Sequence, residues 1–200
     1  DTDTDTDTDT DTDTDTDTDT DTDTDTDTDT VIKIAMGSTI EGDGSPCHRD
    51  DNGACDLVVM TLNGETLEPM DVTVLASGDG PHFFPTWSPD GKYIAYNRKE
   101  GTTNQVKVVN IATEEGFIAA EGVRFPEWSP NGDELLLTKV TPPRKEVGTL
   151  AVNTDGAEPT FGDFQFFSSE PVNPGVSTSD AYYMPNGKEA VLHATSEGER

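Results

Sequence analysis

The sequence predicts an all-β chain built from repeated units of short strands and preceded by an extended, non-globular segment. Three observations carry that expectation. Residues 1–30 alternate Asp and Thr without exception. Residues 31–200 read as short apolar runs bounded by Gly, Pro, Asn and Asp, the pattern of strands and turns. A Phe-Pro-x-Trp-Ser-Pro-Asp/Asn-Gly stretch occurs twice, with its tryptophans 41 residues apart. The chain therefore divides into residues 1–30, an Asp-Thr repeat, and residues 31–200, a β domain.

In the repeat, a two-residue period matches the pleat of an extended chain, so carboxylates would face one way and β-branched hydroxyls the other. Thirty residues would reach about 100 Å at ~3.3 Å per residue. Nothing in the segment is apolar, so burial cannot hold it straight. Repulsion between carboxylates roughly 7 Å apart is worth only about 0.6 kcal/mol per pair in water. An ordered stem therefore needs help from outside the peptide. O-linked sugars on Thr2, Thr4, Thr6, Thr8, Thr10, Thr12, Thr14, Thr16, Thr18, Thr20, Thr22, Thr24, Thr26, Thr28 and Thr30 would block compact structure and force an extended core. Asp carboxylates offer calcium as a second handle. The segment resembles the short-repeat stems of glycan-coated extracellular fibrils. The same composition also fits a disordered, solvated acidic tail.

The formal net charge is −29, and residues 31–200 keep 26 acidic against 12 basic residues, a net −14. That balance argues against nucleic acid as a partner and against docking on anionic membranes. No apolar run approaches transmembrane length. One domain of 170 residues with its own core is expected. The start at Asp1, without a visible secretion signal, reads as a processed or incomplete chain. Cys47 and Cys55 are the two cysteines, and as an even pair in a polar loop they read as a disulfide, hence an oxidising compartment. The competing reading makes Cys47, His48 and Cys55 zinc ligands, without a fourth at convincing spacing.

Taken in order, Val31–Met36 is a short strand ended by Gly37, and the loop 42–56 follows. Leu57–Leu62 is a second strand, and Asn63-Gly64 a hairpin turn because both residues tolerate positive φ. The return strand includes Thr66, Leu67 and Met70 and continues through Val72, Val74 and Leu75 to the glycine-proline turn at 77–81. The stretch Phe84-Pro85-Thr86-Trp87-Ser88-Pro89-Asp90-Gly91-Lys92 comes next and recurs as Phe125-Pro126-Glu127-Trp128-Ser129-Pro130-Asn131-Gly132-Asp133. A fainter copy is Tyr182-Tyr183-Met184-Pro185-Asn186-Gly187-Lys188. Repetition at about forty residues marks a propeller, one four-stranded blade per repeat.

These Trp-Ser-Pro-Asp-Gly stretches resemble the repeats of TolB-like β-propellers, found in the periplasmic TolB protein and in the propeller domains of prolyl oligopeptidase-type enzymes. Leu57–Leu67 resembles the outer hairpin of that repeat, and Val106–Ile118 and Leu150–Pro159 take its place in the next two blades. The resemblance implies an incomplete TolB-like propeller of about three to four blades over most of residues 31–200. The Asp-Thr repeat stands where the first blade's Trp-Ser-Pro motif belongs.

No catalytic constellation is expected. A Gly-x-Ser-x-Gly nucleophile elbow is absent, and His48, His82 and His193 have no metalloprotease spacing. Trp87 and Trp128 read as packing residues between blades. Asp43, Asp50, Asn52 and Asp56 concentrate oxygen ligands beside glycine turns, a calcium chemistry without EF-hand spacing. No Asn-x-Ser/Thr sequon occurs, so any glycan is O-linked or unusually linked.

Two functions follow as expectations. The first is a structural component of an extracellular or cell-surface fibre, self-associating through a sugar-sheathed stem. The alternative is a TolB-like module, periplasmic by that resemblance, that binds a protein partner and uses the acidic repeat as a tether.

Overall fold

The computed structural model describes residues 30–38, 55–78, 80–141, 144–166, 176–187 and 189–196, and every regular element among them is a β-strand. The strands form four antiparallel sheets in sequence order. The first holds β1 (Val31–Ser38), β2 (Asp56–Asn63) and β3 (Pro69–Ala76). A second contains β4 (His82–Trp87), β5 (Tyr93–Glu100), β6 (Thr103–Asn110) and β7 (Gly116–Glu121). The third comprises β8 (Val123–Trp128), β9 (Glu134–Thr141) and β10 (Arg144–Asn153), with the short β11 (Thr160–Phe161) and β12 (Gln165–Phe166) both pairing β10. In the fourth, β13 (Val176–Tyr183) pairs β14 (Ala190–Ser196).

Consecutive strands pair within each sheet, and the second and third sheets pack a neighbour on each face, so alternate residues of one of their strands enter different cores. Leu57, Val59 and Leu75 of the first sheet meet Ile94, Tyr96 and Val109 of the second. Tyr93, Ala95, Val106 and Val108 turn the other way and meet Val123, Trp128, Leu135, Leu137, Leu150 and Val152 of the third. Leu136 and Val147 pack against Ala181 of the fourth. Stacked blades of this kind are an incomplete TolB-like β-propeller, as the motifs imply. Trp128 is buried in the second of these cores and Trp87 packs against the first, so both tryptophans lie between blades.

The repeated Trp-Ser-Pro turn has one geometry in three copies. Ser88, Ser129 and Met184 each donate a backbone N–H to the residue five positions on, at 2.8 to 2.9 Å, and Gly91, Gly132 and Gly187 each donate back at 2.9 Å. All three glycines have φ between 65° and 78°, which excludes most side chains. In the first two copies the serine hydroxyl joins in, with Ser88 Oγ donating to Asp90 at 2.7 Å and Ser129 Oγ to Asp133 at 2.8 Å.

The outer hairpins differ from expectation. Thr66 and Leu67 belong to a turn, not to the return strand, and β3 starts at Pro69. Positive φ falls on Leu67, at 59°, while Gly64 is not among the residues with positive φ. The Asn63 side chain sets the turn by accepting the N–H groups of Glu65 and Thr66, both at 2.9 Å. The next blade repeats it: Asn110 accepts from Ala112 and Thr113, and Glu114 takes φ 59°. Gly64 has another reason to be glycine, since a Cβ there would overlap the backbone of Thr30, whose carbonyl accepts the Gly64 N–H at 2.5 Å.

Candidate functional site: the aromatic surface of the first strands

β4, β8 and β13 are the first strands of successive blades and lie side by side without sharing a sheet. Each is interrupted by a bulge, between Phe83 and Thr86, between Arg124 and Glu127, and between Ser179 and Ala181. Bulges bend a strand and re-aim its side chains. In β4 and β8 the cause is the Phe-Pro pair, because proline withholds an N–H from the ladder. Phe84 and Phe125 take φ of 53° and 56°, a conformation that bulky residues rarely adopt and that costs of order 1–3 kcal/mol each.

The neighbouring blade holds the second bulge in place. Asn97 of β5 is buried, and its Oδ1 accepts the Phe125 N–H at 2.7 Å. The result is a ridge in which Phe84 and Phe125 meet edge to face at 4.9 Å. Phe84, Pro85, Thr86, Phe125, Pro126, Glu127, Ala181 and Tyr182 line a cavity of about 280 Å³ beside it. Phe84 and Tyr182 are exposed large side chains. Glu127 supplies the one carboxylate in the lining; burial pushes its pKa up from 4.5, and its Oε1 accepts the Tyr183 N–H at 3.3 Å. Tyr183 also donates its hydroxyl to Glu134 at 3.1 Å, tying the fourth sheet to the third. A surface that pairs apolar rings with one partly buried carboxylate can hold an apolar side chain next to a cation.

The residues singled out in the sequence lie elsewhere. Thr2 to Thr28, Cys47, His48, Asp43, Asp50 and Asn52 fall outside the described residues. Thr30 is exposed at the junction with β1. Asp56 is buried as the first residue of β2, opposite Ser38. Cys55 is buried, is disulfide-bonded and forms a bridge with Pro81. Among the described residues no group of three or more His, Cys, Asp or Glu is placed to hold a metal. His82 is fully buried at the start of β4; its ring contacts the Cys55 carbonyl through Nδ1 and the Tyr96 ring at 5.5 Å. Desolvation, ahead of the Arg98 charge, pulls its pKa below 6.5. Phe84 and Phe125 were visible in the repeated motif, but their left-handed backbone was not.

The arrangement defines a TolB-like propeller with an aromatic surface on its first strands. Over 73 residues the chain is 38% identical to the Tol-Pal system protein TolB of Alcanivorax borkumensis, a match covering 34% of this chain and 16% of that protein. No family model matches the chain. Among solved structures, a protein described as a TolB from Agrobacterium tumefaciens superposes with a TM-score of 0.58 at 14% identity, over 84% of this chain and 52% of the other. An oligogalacturonate lyase in complex with manganese superposes with a TM-score of 0.50 at 12% identity, over 84% of this chain and 57% of the other. These likenesses concern the fold, and the chain spans about half the length of the structures it matches.

Proposed function

We propose that this chain is a protein-binding module that takes a peptide segment of a partner on the surface of β4, β8 and β13, with the acidic Asp-Thr repeat as a tether. The observation that carries the reading is the cavity between Phe84, Phe125 and Tyr182. Phe84 and Tyr182 are exposed and Phe125 is half-buried, one ring on each of three strands, and strained backbone at Phe84 and Phe125 holds two of them there. Aromatic side chains on a rigid frame are the usual anchors of protein recognition. Glu127 and the net charge of −29 favour a segment that places Lys or Arg beside an aromatic or aliphatic residue. The reading gives the chain no catalytic step. It places the protein outside the cytoplasm, which the likeness to TolB and the disulfide at Cys55 support.

The test is to select peptides from a displayed library on the full chain and map them by hydrogen exchange. Protection on β4, β8 and β13, with Lys or Arg enriched among the selected peptides, is the expected result. Protection confined to the outer strands would contradict it.

A second reading, the sugar-sheathed fibre stem, is favoured by the fifteen unbroken Asp-Thr pairs alone. Glycopeptide mass spectrometry of natural material tests it. Bare threonines would end it.

A further inference from the structure

A second cavity, of about 320 Å³, lies between the Trp-Ser-Pro turns of the second and third blades and shares no lining residue with the aromatic surface. Pro89 and Asp90 line it from one turn and Asn131 and Gly132 from the next, while Thr154 joins them from the loop that follows β10. Gly132 takes φ of 78°, and a Cβ there would stand 3.5 Å from the Pro89 ring. At ~30 Å³ per water-sized group the volume holds about ten such groups, the size of one sugar ring.

Trp128 also lines this cavity and is only 5% exposed. Its indole N–H is buried and has no acceptor among the described residues. Buried donors in native structures have partners, so an unpaired one in the lining of a cavity points to an acceptor that arrives from outside.

Asp90 sets the chemistry of that acceptor. Its Oδ1 accepts the Ser88 hydroxyl at 2.7 Å and the Lys92 N–H at 3.1 Å, whereas Oδ2 meets the Lys92 ammonium at 3.2 Å and has room for a further donor. The Ser88 bond is the main cause that pulls the Asp90 pKa below 3.8, so this group accepts and does not donate. An anion would be repelled by this carboxylate and by the net charge of −29. A cation would leave the indole N–H without an acceptor. An uncharged hydroxyl suits both groups, because it can accept from the indole and donate to the carboxylate. Asn131 and Thr154 add side chains that donate and accept, and the Pro89 ring adds an apolar face for C–H groups.

We infer that this cavity binds an uncharged, hydroxyl-rich molecule, a neutral sugar residue, whose hydroxyls accept from the Trp128 indole and donate to Asp90. The site is separate from the peptide surface of β4, β8 and β13, so either can fail without the other.

The experiment follows the indole N–H resonances of the ¹⁵N-labelled full chain. The chain has two tryptophans, and Trp87→Phe assigns the Trp128 signal. D-glucose, D-galactose, D-mannose and N-acetyl-D-glucosamine are titrated to about 50 mM, each as the free sugar and as its methyl glycoside, a range that saturates a site of mM affinity. At least one should move the Trp128 signal downfield and saturably, while the charged analogues D-glucuronate and D-glucosamine leave it in place. Tighter binding of the methyl glycoside assigns a residue within a longer glycan, and tighter binding of the free sugar assigns the monosaccharide. Trp128→Phe keeps an aromatic ring in the core and removes the N–H, so it should weaken binding by about tenfold, read by saturation transfer to the sugar. If that variant does not fold, Asp90→Asn takes its place, since the next copy of the turn carries this residue type at Asn131; it should weaken binding by about threefold or more. Three results would overturn the inference: a Trp128 signal that no sugar moves, as expected if a buried water is the acceptor; charged analogues that bind as well as the neutral sugars; or a variant that binds as tightly as the wild type.

Discussion

At the residue scale, the aromatic surface depends on backbone that ordinary sequences avoid. A phenylalanine at φ near 55° is unfavourable on its own and persists because surrounding contacts over-determine it. For Phe125 one such contact is the buried Asn97 amide. Asn97→Ala should therefore cost about 1–3 kcal/mol by leaving the Phe125 N–H without its acceptor, measured by urea denaturation. His82 makes a second prediction. Desolvation holds its folded-state pKa below the unfolded value of 6.5, so the neutral ring is the one the fold accepts. Its contribution is complete above pH 6.5 and is lost as pH falls from there toward the folded pKa, with a slope of up to about 1.4 kcal/mol per pH unit. Thermal melts of the wild type and His82→Gln between pH 7.5 and 5 should show the wild type losing stability faster.

At the element scale, the turns separate what pattern can and cannot reveal. The Trp-Ser-Pro-Asp-Gly turns were legible because glycine at positive φ and a serine able to bond its own loop are both written in residue type. The outer hairpins were located correctly but misread in detail. Asn-Gly suggested a two-residue turn, yet the Asn63 side chain captures two amides and pushes positive φ four residues on, to Leu67. Residue type gives no sign of that, because leucine and glutamate have no preference for the left-handed region and adopt it only once the rest of the turn is closed. Glu114→Gly should relieve that cost and raise stability by up to about 1 kcal/mol, net of the entropy that glycine adds to the unfolded chain. Gly64→Ala should do the reverse, lowering the melting temperature by forcing the 63–68 turn away from Thr30.

At the scale of the whole molecule, the blade order, the packing role of the tryptophans and the partial first and last sheets all followed from a repeat of 41 residues and its turn chemistry. The aromatic surface was not legible, because it is assembled from one strand in each of three blades and no single stretch of chain contains it. Phe84 and Phe125 are neighbours only once the blades stack. The same surface gives binding a pH dependence. Burial raises the Glu127 pKa above 4.5, so as pH falls this carboxylate takes up its proton earlier than a free glutamate does. Affinity for a cationic peptide should fall with it, and Glu127→Gln should bind weakly at every pH. The central claim, that the inner rings and not the outer strands hold the partner, is tested most directly by the affinity of one selected peptide for three variants, read by fluorescence anisotropy. Phe84→Ala and Tyr182→Ala should each weaken binding by about tenfold or more, as loss of a buried anchor does, while Ile118→Ala on the exposed outer strand β7 leaves it unchanged. Binding that survives the first two substitutions and fails with the third would contradict the account.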